Sequence, residues 1–324
     1  MRDGQGRVID YLRLSVTDRC NLRCTYCMPP EGVEWLPHTQ ILSYEQILRL
    51  CRVFAGLGLH RIRLTGGEPL ARKDLDQLVA GLKAISGIDH VAVTTNGTLL
   101  AEQLPVLRSA GLDTVNISLD TLDRAQFAAI TRRDALEDTL TGLEAALAMP
   151  GLTVKLNCVP TADNADQWVP LAELARAQTL SVRFIELMPI GMGGGLPGIV
   201  EAELRARLEE ALGPLHPCEG DPGGGPCRYF RPAGFTGRIG FISAMTHQFC
   251  STCNRVRLTA TGFLKTCLQY EKGVELRPLL DAGVGDEVLR AAMVQAIAEK
   301  PIQHHFGQGA RQQDERHNMN QIGG

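Results

Sequence analysis

The chain is defined first by what it lacks. In its 324 residues there is no run of eighteen apolar residues, so no segment reads as a membrane span. The opening stretch "MRDGQGRVIDYLRLSV" carries no apolar signal region, and a cytoplasmic protein is expected. Charge of one sign is also lacking: the formal net charge is −3 and the pI about 6.3, which argues against a nucleic-acid or acidic-membrane partner. There is no G-x4-G-K-[ST] stretch, so a P-loop is excluded and any bound phosphates must draw their cations from elsewhere. No internal repeat or low-complexity segment occurs.

What is present is an ordinary globular composition, 44% hydrophobic and 21% charged. Short β-branched and apolar runs recur at 11–16, 60–65, 90–95, 113–119, 153–159 and 181–187. Segments with helical spacing lie between them: Ile47, Leu50, Cys51 and Phe54 share one face, as do Leu136, Leu140, Leu143 and Leu147. Six strand–helix units predict parallel strands with crossover helices, and the apolar runs predict strands covered on both faces. A barrel, full or partial, and a doubly wound sheet both fit. Beyond residue 188 Gly/Pro-rich loops surround a helix at about 200–212. The strand candidates "RIGFIS", "RVRLTA" and "FLKT" then read as antiparallel, and a helix follows near 285–299. The division expected is 5–215 for the first domain and 216–324 for the second.

Cysteine is the conspicuous residue, with ten in a chain expected to stay in a reducing compartment. Six fall in two clusters. Cys20, Cys24 and Cys27 form C-x3-C-x2-C just past the first strand; Cys250, Cys253 and Cys267 form C-x2-C-x13-C. Structural zinc wants four ligands in pairs, and the first cluster has only three. Three thiolates in one short loop suit a cubane iron–sulfur cluster with one iron left open. Taken alone, the second cluster reads better as zinc, with His247, Cys218 or Cys227 completing the set. Cys51 reads as a small core residue.

The C-x3-C-x2-C loop, together with "GGEP" at 66–69, resembles the radical S-adenosylmethionine superfamily. "LRLSVTDRCNLRCTYCMP", "RLTGGEPL", "TTNGTLL", "NISLDTL", "RFIELMP", "FCSTCNRVRLTATG" and the closing "IGG" extend the match over nearly the whole length. Together they resemble the GTP 3′,8-cyclase family of molybdenum cofactor biosynthesis. The fold expected with that resemblance is α/β: a partial (β/α)6 TIM-type barrel with a C-terminal antiparallel-strand region carrying a second iron–sulfur cluster. The resemblance implies two [4Fe-4S] clusters, S-adenosyl-L-methionine as cofactor and GTP as substrate. It implies that a deoxyadenosyl radical abstracts the ribose C3′ hydrogen and that the carbon radical attacks C8 of guanine. A reducing electron donor and a downstream cyclic pyranopterin monophosphate synthase are the implied partners, and a homodimer is allowed.

By the same resemblance Tyr26, Gly67, Ser118 and Met188 contact S-adenosylmethionine. Arg13, Arg63, Thr94, Lys155, Arg255 and Arg257 contact GTP, and the open iron of the second cluster meets guanine. Independently, a triphosphate needs several cations where water is partly excluded. Arg13, Arg63 and Lys155 sit on strands that could aim inward, and Arg255 and Arg257 alternate so that both point to one face. The polar terminus would ordinarily be disordered. The resemblance instead carries Gly323 and Gly324 into the active site and makes them, with Arg255 and Arg257, residues needed for cyclisation. Two other readings stand beside this one: another radical S-adenosylmethionine enzyme with auxiliary clusters, such as one modifying peptides, and a non-catalytic zinc- or cluster-carrying scaffold.

Overall fold

The structure is a computed structural model and describes residues 1–220, 224–308 and 314–323. Six β/α units run in order: β1 (Tyr11–Ser15) and α1 (Tyr44–Gly56), β2 (Arg61–Thr65) and α2 (Leu75–Lys83), β3 (His90–Thr95) and α3 (Leu100–Ser109). Next come β4 (Thr114–Ser118) with α4 (Arg124–Thr131) and α5 (Leu136–Ala148), β5 (Thr153–Cys158) with α6 (Trp168–Glu173), and β6 (Leu180–Ile185) with α7 (Glu201–Leu212). Then follow β7 (His216–Cys218), β8 (Arg228–Arg231), β9 (Arg238–Ile242), β10 (Arg255–Leu258), β11 (Phe263–Lys265) and β12 (Gly273–Glu275). Helices α8 (Arg277–Asp281), α9 (Asp286–Ala298) and α10 (Met319–Ile322) complete the order.

All twelve strands form one sheet, ordered β12-β11-β10-β1-β2-β3-β4-β5-β6-β9-β8-β7. The six expected strands are parallel neighbours. The expected antiparallel region is present, with β9 pairing antiparallel to β8 and β10 to β11, but β9 and β10 also join the barrel, β9 parallel to β6 and β10 parallel to β1. Arg255 and Ile242, from strands far apart in this order, border one cavity, so the sheet curls into an incomplete barrel.

The strands are not apolar on both faces, as their composition suggested. Leu12, Leu14, Ile62, Leu64, Val182, Phe184, Val256 and Leu258 face outward and join the core under the helices. The residues between them face inward. Arg13 stands directly opposite Arg63 on one side and Arg257 on the other, and cross-strand partners share a face. The period-2 alternation is strict because the two faces meet different surroundings: an apolar helix layer outside, a polar chamber inside.

Local capping sets the helices. Ser43 accepts from the Gln46 N–H at 3.2 Å while the Gln46 side chain accepts from the Ser43 N–H at 2.9 Å, a capping box that starts α1. The face expected for this helix, Ile47, Leu50, Cys51 and Phe54, is fully buried. Among the described residues no helix is long and apolar enough to cross a membrane.

The C-terminal segment is pinned to the sheet by a buried ion pair. Lys265 on β11 is wholly buried; its ammonium donates to the Glu315 carboxylate and to the Tyr270 carbonyl. Removing one partner strands the other charge away from water. Glu315→Ala is expected to lower unfolding stability by about 3 kcal/mol, and Lys265→Met with Glu315→Leu to recover most of it. Urea denaturation reads both, and a double variant no more stable than the single one would refute this account.

Candidate active site

The first cysteine loop follows β1, and backbone contacts from two sides shape it. A turn closes Cys24 to Cys27, with the Cys27 N–H donating to the Cys24 carbonyl at 2.9 Å. The end of α4 holds the outer side: Arg23 N–H donates to Thr131 O and Thr25 N–H to Ile130 O, each at 2.9 Å. The "GGEP" stretch holds the inner side. Gly67 N–H donates to Thr17 O at 2.8 Å and Glu68 N–H to Arg19 O at 2.7 Å. A Cβ on Gly67 would lie 2.2 Å from the Arg19 carbonyl oxygen. That glycine therefore serves the approach of the cysteine loop itself.

Glu68 ties the ends of β2 and β3 together. Its carboxylate accepts from Thr95 Oγ1 and Asn96 N, both at 2.7 Å, and burial pushes its pKa up to about 7. Burial also raises all three thiols. Cys20 reaches about 12, with Glu68 adding to the effect, and Cys27 about 11, offset in part by a hydrogen bond from the Asn320 backbone. Cys24 is raised well above the ordinary range, by burial first and then by Cys27 and Asp120. Three such thiols in one loop, close enough to repel, become thiolates together when a cationic centre compensates them. That donor set fits an iron–sulfur cluster.

The second triad sits at the far end of the barrel. Cys250, Cys253 and Cys267 all line one cavity of about 210 Å³. Arg7 anchors the Cys250 carbonyl at 2.8 Å and reaches the Ile302 carbonyl at 2.9 Å, tying this loop to the segment after α9. Burial would raise the Cys253 thiol, but the charges of Arg255 and Lys300 outweigh it and bring it down to about 7. Burial raises the Cys250 thiol instead, and a triad with one sulfur held near thiolate form also suits a metal centre.

The same cavity gathers Arg13, Arg63, Arg183, Arg255, Arg257 and Lys300, and among the described residues no carboxylate lines it. Burial pushes Arg13 well below its usual range, with Arg257 and Arg63 adding repulsion. Burial, then Arg255, brings Arg257 down to about 10. Like charges packed this way in a buried chamber form a strong anion-attracting field.

Of the residues singled out from the sequence, Arg13, Arg63, Met188, Arg255, Arg257 and the second cysteine triad converge on this cavity. Thr94 and Lys155 stand on the same inward sheet face, each opposite Asn116, but outside the lining set. The Tyr26 hydroxyl donates to Asp120 at 2.6 Å, and Ser118 lies at the end of β4. His247 is exposed near Glu201 and stays out of the cavity, so it does not complete the second triad. Cys227 does line the cavity; Cys218 does not.

The described part of the tail, residues 314–323, reaches the barrel. Asn320 and Ile322 are buried, and Asn320 Nδ2 donates to the Asp18 carbonyl at 3.2 Å. Gly323 has φ +80, and a Cβ there would lie 2.8 Å from Thr65 Oγ1. Its carbonyl accepts from the Arg257 guanidinium. Gly324 lies outside the described residues.

The sequence reading missed Arg183, Lys300 and His304. Arg183 donates to Asn157 Oδ1 at 2.5 Å and to Asn116 Oδ1 at 2.6 Å. A signal for it existed: "LRL", "IRL", "VRF" and "VRL" repeat one apolar–Arg–apolar pattern on β1, β2, β6 and β10. Lys300 and His304 lie just after α9 and carry no pattern of their own.

Comparison with known proteins agrees with this geometry. Residues 14–175 match the model of the Radical SAM superfamily, and residues 180–306 match that of Molybdenum Cofactor Synthesis C. A GTP 3′,8-cyclase of Pelotomaculum thermopropionicum is 45% identical over the full length of both chains. GTP 3′,8-cyclase 2 of Pseudomonas aeruginosa is 46% identical, covering 94% of this chain and 93% of that one. Among solved structures, Streptococcus suis SuiB bound to S-adenosylmethionine superposes with a TM-score of 0.58 at 15% identity, covering 90% of this chain and 68% of that one; that likeness is one of fold. With full-length identity at this level, the chain belongs to the GTP 3′,8-cyclase family, within the radical S-adenosylmethionine superfamily.

Proposed function

We propose that this protein converts GTP to (8S)-3′,8-cyclo-7,8-dihydroguanosine 5′-triphosphate, the first step of molybdenum cofactor biosynthesis. One observation carries the reading: among the described residues, six arginine and lysine side chains and four cysteines, three of them the second triad, line a single cavity without a carboxylate. A triphosphate supplies the charge this chamber is short of, and arginine matches phosphate oxygens in a bidentate way.

Cys20, Cys24 and Cys27 would hold one [4Fe-4S] cluster, and Cys250, Cys253 and Cys267 a second. When bound, the first cluster and S-adenosylmethionine supply a 5′-deoxyadenosyl radical that removes the ribose C3′ hydrogen. The chain's own residues do the holding. Tyr26, Gly67, Ser118 and Met188 cradle S-adenosylmethionine. Arg13, Arg63, Arg255 and Arg257 take the phosphates, with Thr94 and Lys155 reached when the substrate extends along the inward face. Arg257 also grips the Gly323 carbonyl, so tail and phosphate binding share one side chain. Gly323 then narrows the space around the reacting ribose and keeps water away from it, and the closing Gly-Gly is read as needed for cyclisation. Residues 5–215 form the radical S-adenosylmethionine partial barrel and 216–324 the region of the second cluster with the Gly-Gly tail. A cytoplasmic setting, an external electron donor, a synthase that consumes the product and a homodimer complete the reading.

Incubation with GTP, S-adenosylmethionine and reductant under anaerobic conditions should yield the cyclised nucleotide by mass spectrometry. Cys24→Ala should lose S-adenosylmethionine cleavage altogether. Cys267→Ala should keep uncoupled cleavage but lose GTP conversion, and unimpaired conversion would remove the second triad from the site. Anaerobic reconstitution should give about eight irons per chain, two four-iron cubanes; four irons with one zinc would contradict the second cluster. Removing Gly323 and Gly324 should leave iron content unchanged and reduce cyclisation by about 100-fold or more, on the scale of a lost positioning group. Normal turnover by the truncated chain would show that the tail has no part in the chemistry.

A further inference from the structure

The mechanism leaves one buried polar group at the second triad unused. His304 is 7% exposed and lines the cavity, yet its Nε2 has no hydrogen-bond partner. An unsatisfied buried donor is costly in a protein interior, and a ligand is the usual way to satisfy one that faces a cavity. The rest of the residue is firmly placed. Its backbone N–H donates toward the Cys250 sulfur, and its Nδ1 accepts from the Phe306 N–H at 3.4 Å. With Nδ1 accepting, the ring proton sits on Nε2, which makes that atom a donor. An N–H donor at Nε2 is a fit partner for an acceptor on a ligand in the cavity.

Its surroundings suit a flat aromatic ligand. The His304 ring lies 4.7 Å from the Phe306 ring at 39°, and Phe249 lines the same end of the cavity. Thr266, next to Cys267, has a buried Oγ1 that also lacks a partner and lines the cavity. The in-register arginines Arg257, Arg13 and Arg63 belong to the sheet face. Beside the second triad the cavity thus offers two buried polar atoms without partners next to aromatic rings.

We infer that His304 donates from Nε2 to the O6 acceptor of the purine, with Thr266 beside it, and that this pair selects a 6-oxopurine over a 6-aminopurine. The inference rests on the GTP reading above. Guanine presents an acceptor at O6, whereas adenine presents an N6 amino donor. Against adenine the two donors would face each other and both would stay unsatisfied.

The test is equilibrium binding of GTP and ATP to the anaerobically reconstituted full chain, without reductant, together with iron content. His304→Phe keeps the ring's shape and removes the donor. It should retain the parent's iron and weaken GTP binding about tenfold with ATP binding little changed, so that the GTP-to-ATP preference falls by the same factor. His304→Gln, which keeps an N–H donor, should restore much of that preference, and Thr266→Val should lower it separately. Parent-like preference in His304→Phe would overturn the inference and leave the GTP reading standing. So would equal losses for both nucleotides, or loss of about half the iron, which would make His304 a cluster ligand or support. A parent protein that does not bind GTP would overturn the reading beneath it as well.

Discussion

The structure depends on a constraint imposed residue by residue along its parallel strands: each must be apolar outward and polar inward. Leu12, Leu14, Ile62 and Leu64 serve the helix layer while Arg13 and Arg63, one position away, serve the chamber. A slip of one residue would bury guanidinium groups under helices and turn leucines into the cavity. Register is therefore specified with unusual force. The same pattern that secures the core delivers three arginines side by side on β10, β1 and β2.

The ends of the barrel are joined by backbone as much as by side chains. The first cysteine loop is laid against "GGEP", whose glycines let two main chains pass within hydrogen-bond reach. The same loop then receives the C-terminal segment through Asp18 and Cys27. From there Gly323 reaches Arg257, whose strand leads out of the second cysteine loop. A continuous path of contacts thus connects the two thiol triads through the tail.

Much of this was legible in the sequence, for physical reasons. Ligand spacing in a short loop is a local property, so Cys20, Cys24 and Cys27 could be grouped by inspection. The helix face around Cys51 and the basic residues on β1, β2 and β10 followed from periodicity. Three things were hidden. The strands carrying residues 238–242 and 255–258 are antiparallel to their outer neighbours as read, but short hairpin-like runs do not say which second neighbour a strand chooses, and β6 and β1 recruit them in parallel. The strands read as doubly apolar, because a single inward arginine among leucines resembles an edge charge until the register of its neighbours is known. Lys300 and His304 reach the site through a loop after α9, where no periodicity marks direction. His247 misled for the same reason: nearness in sequence to Cys250 is not nearness in space.

The cation ladder also bears on how long the protein lasts. Buried positive charges that repel one another raise the free energy of the ligand-free fold, and an arriving polyanion lowers it. By linkage, whatever fills this chamber raises the unfolding free energy with the logarithm of its concentration once above its dissociation constant. The chamber is thus a stability sensor as well as a reaction vessel: a chain short of nucleotide opens more often and is exposed sooner to proteases.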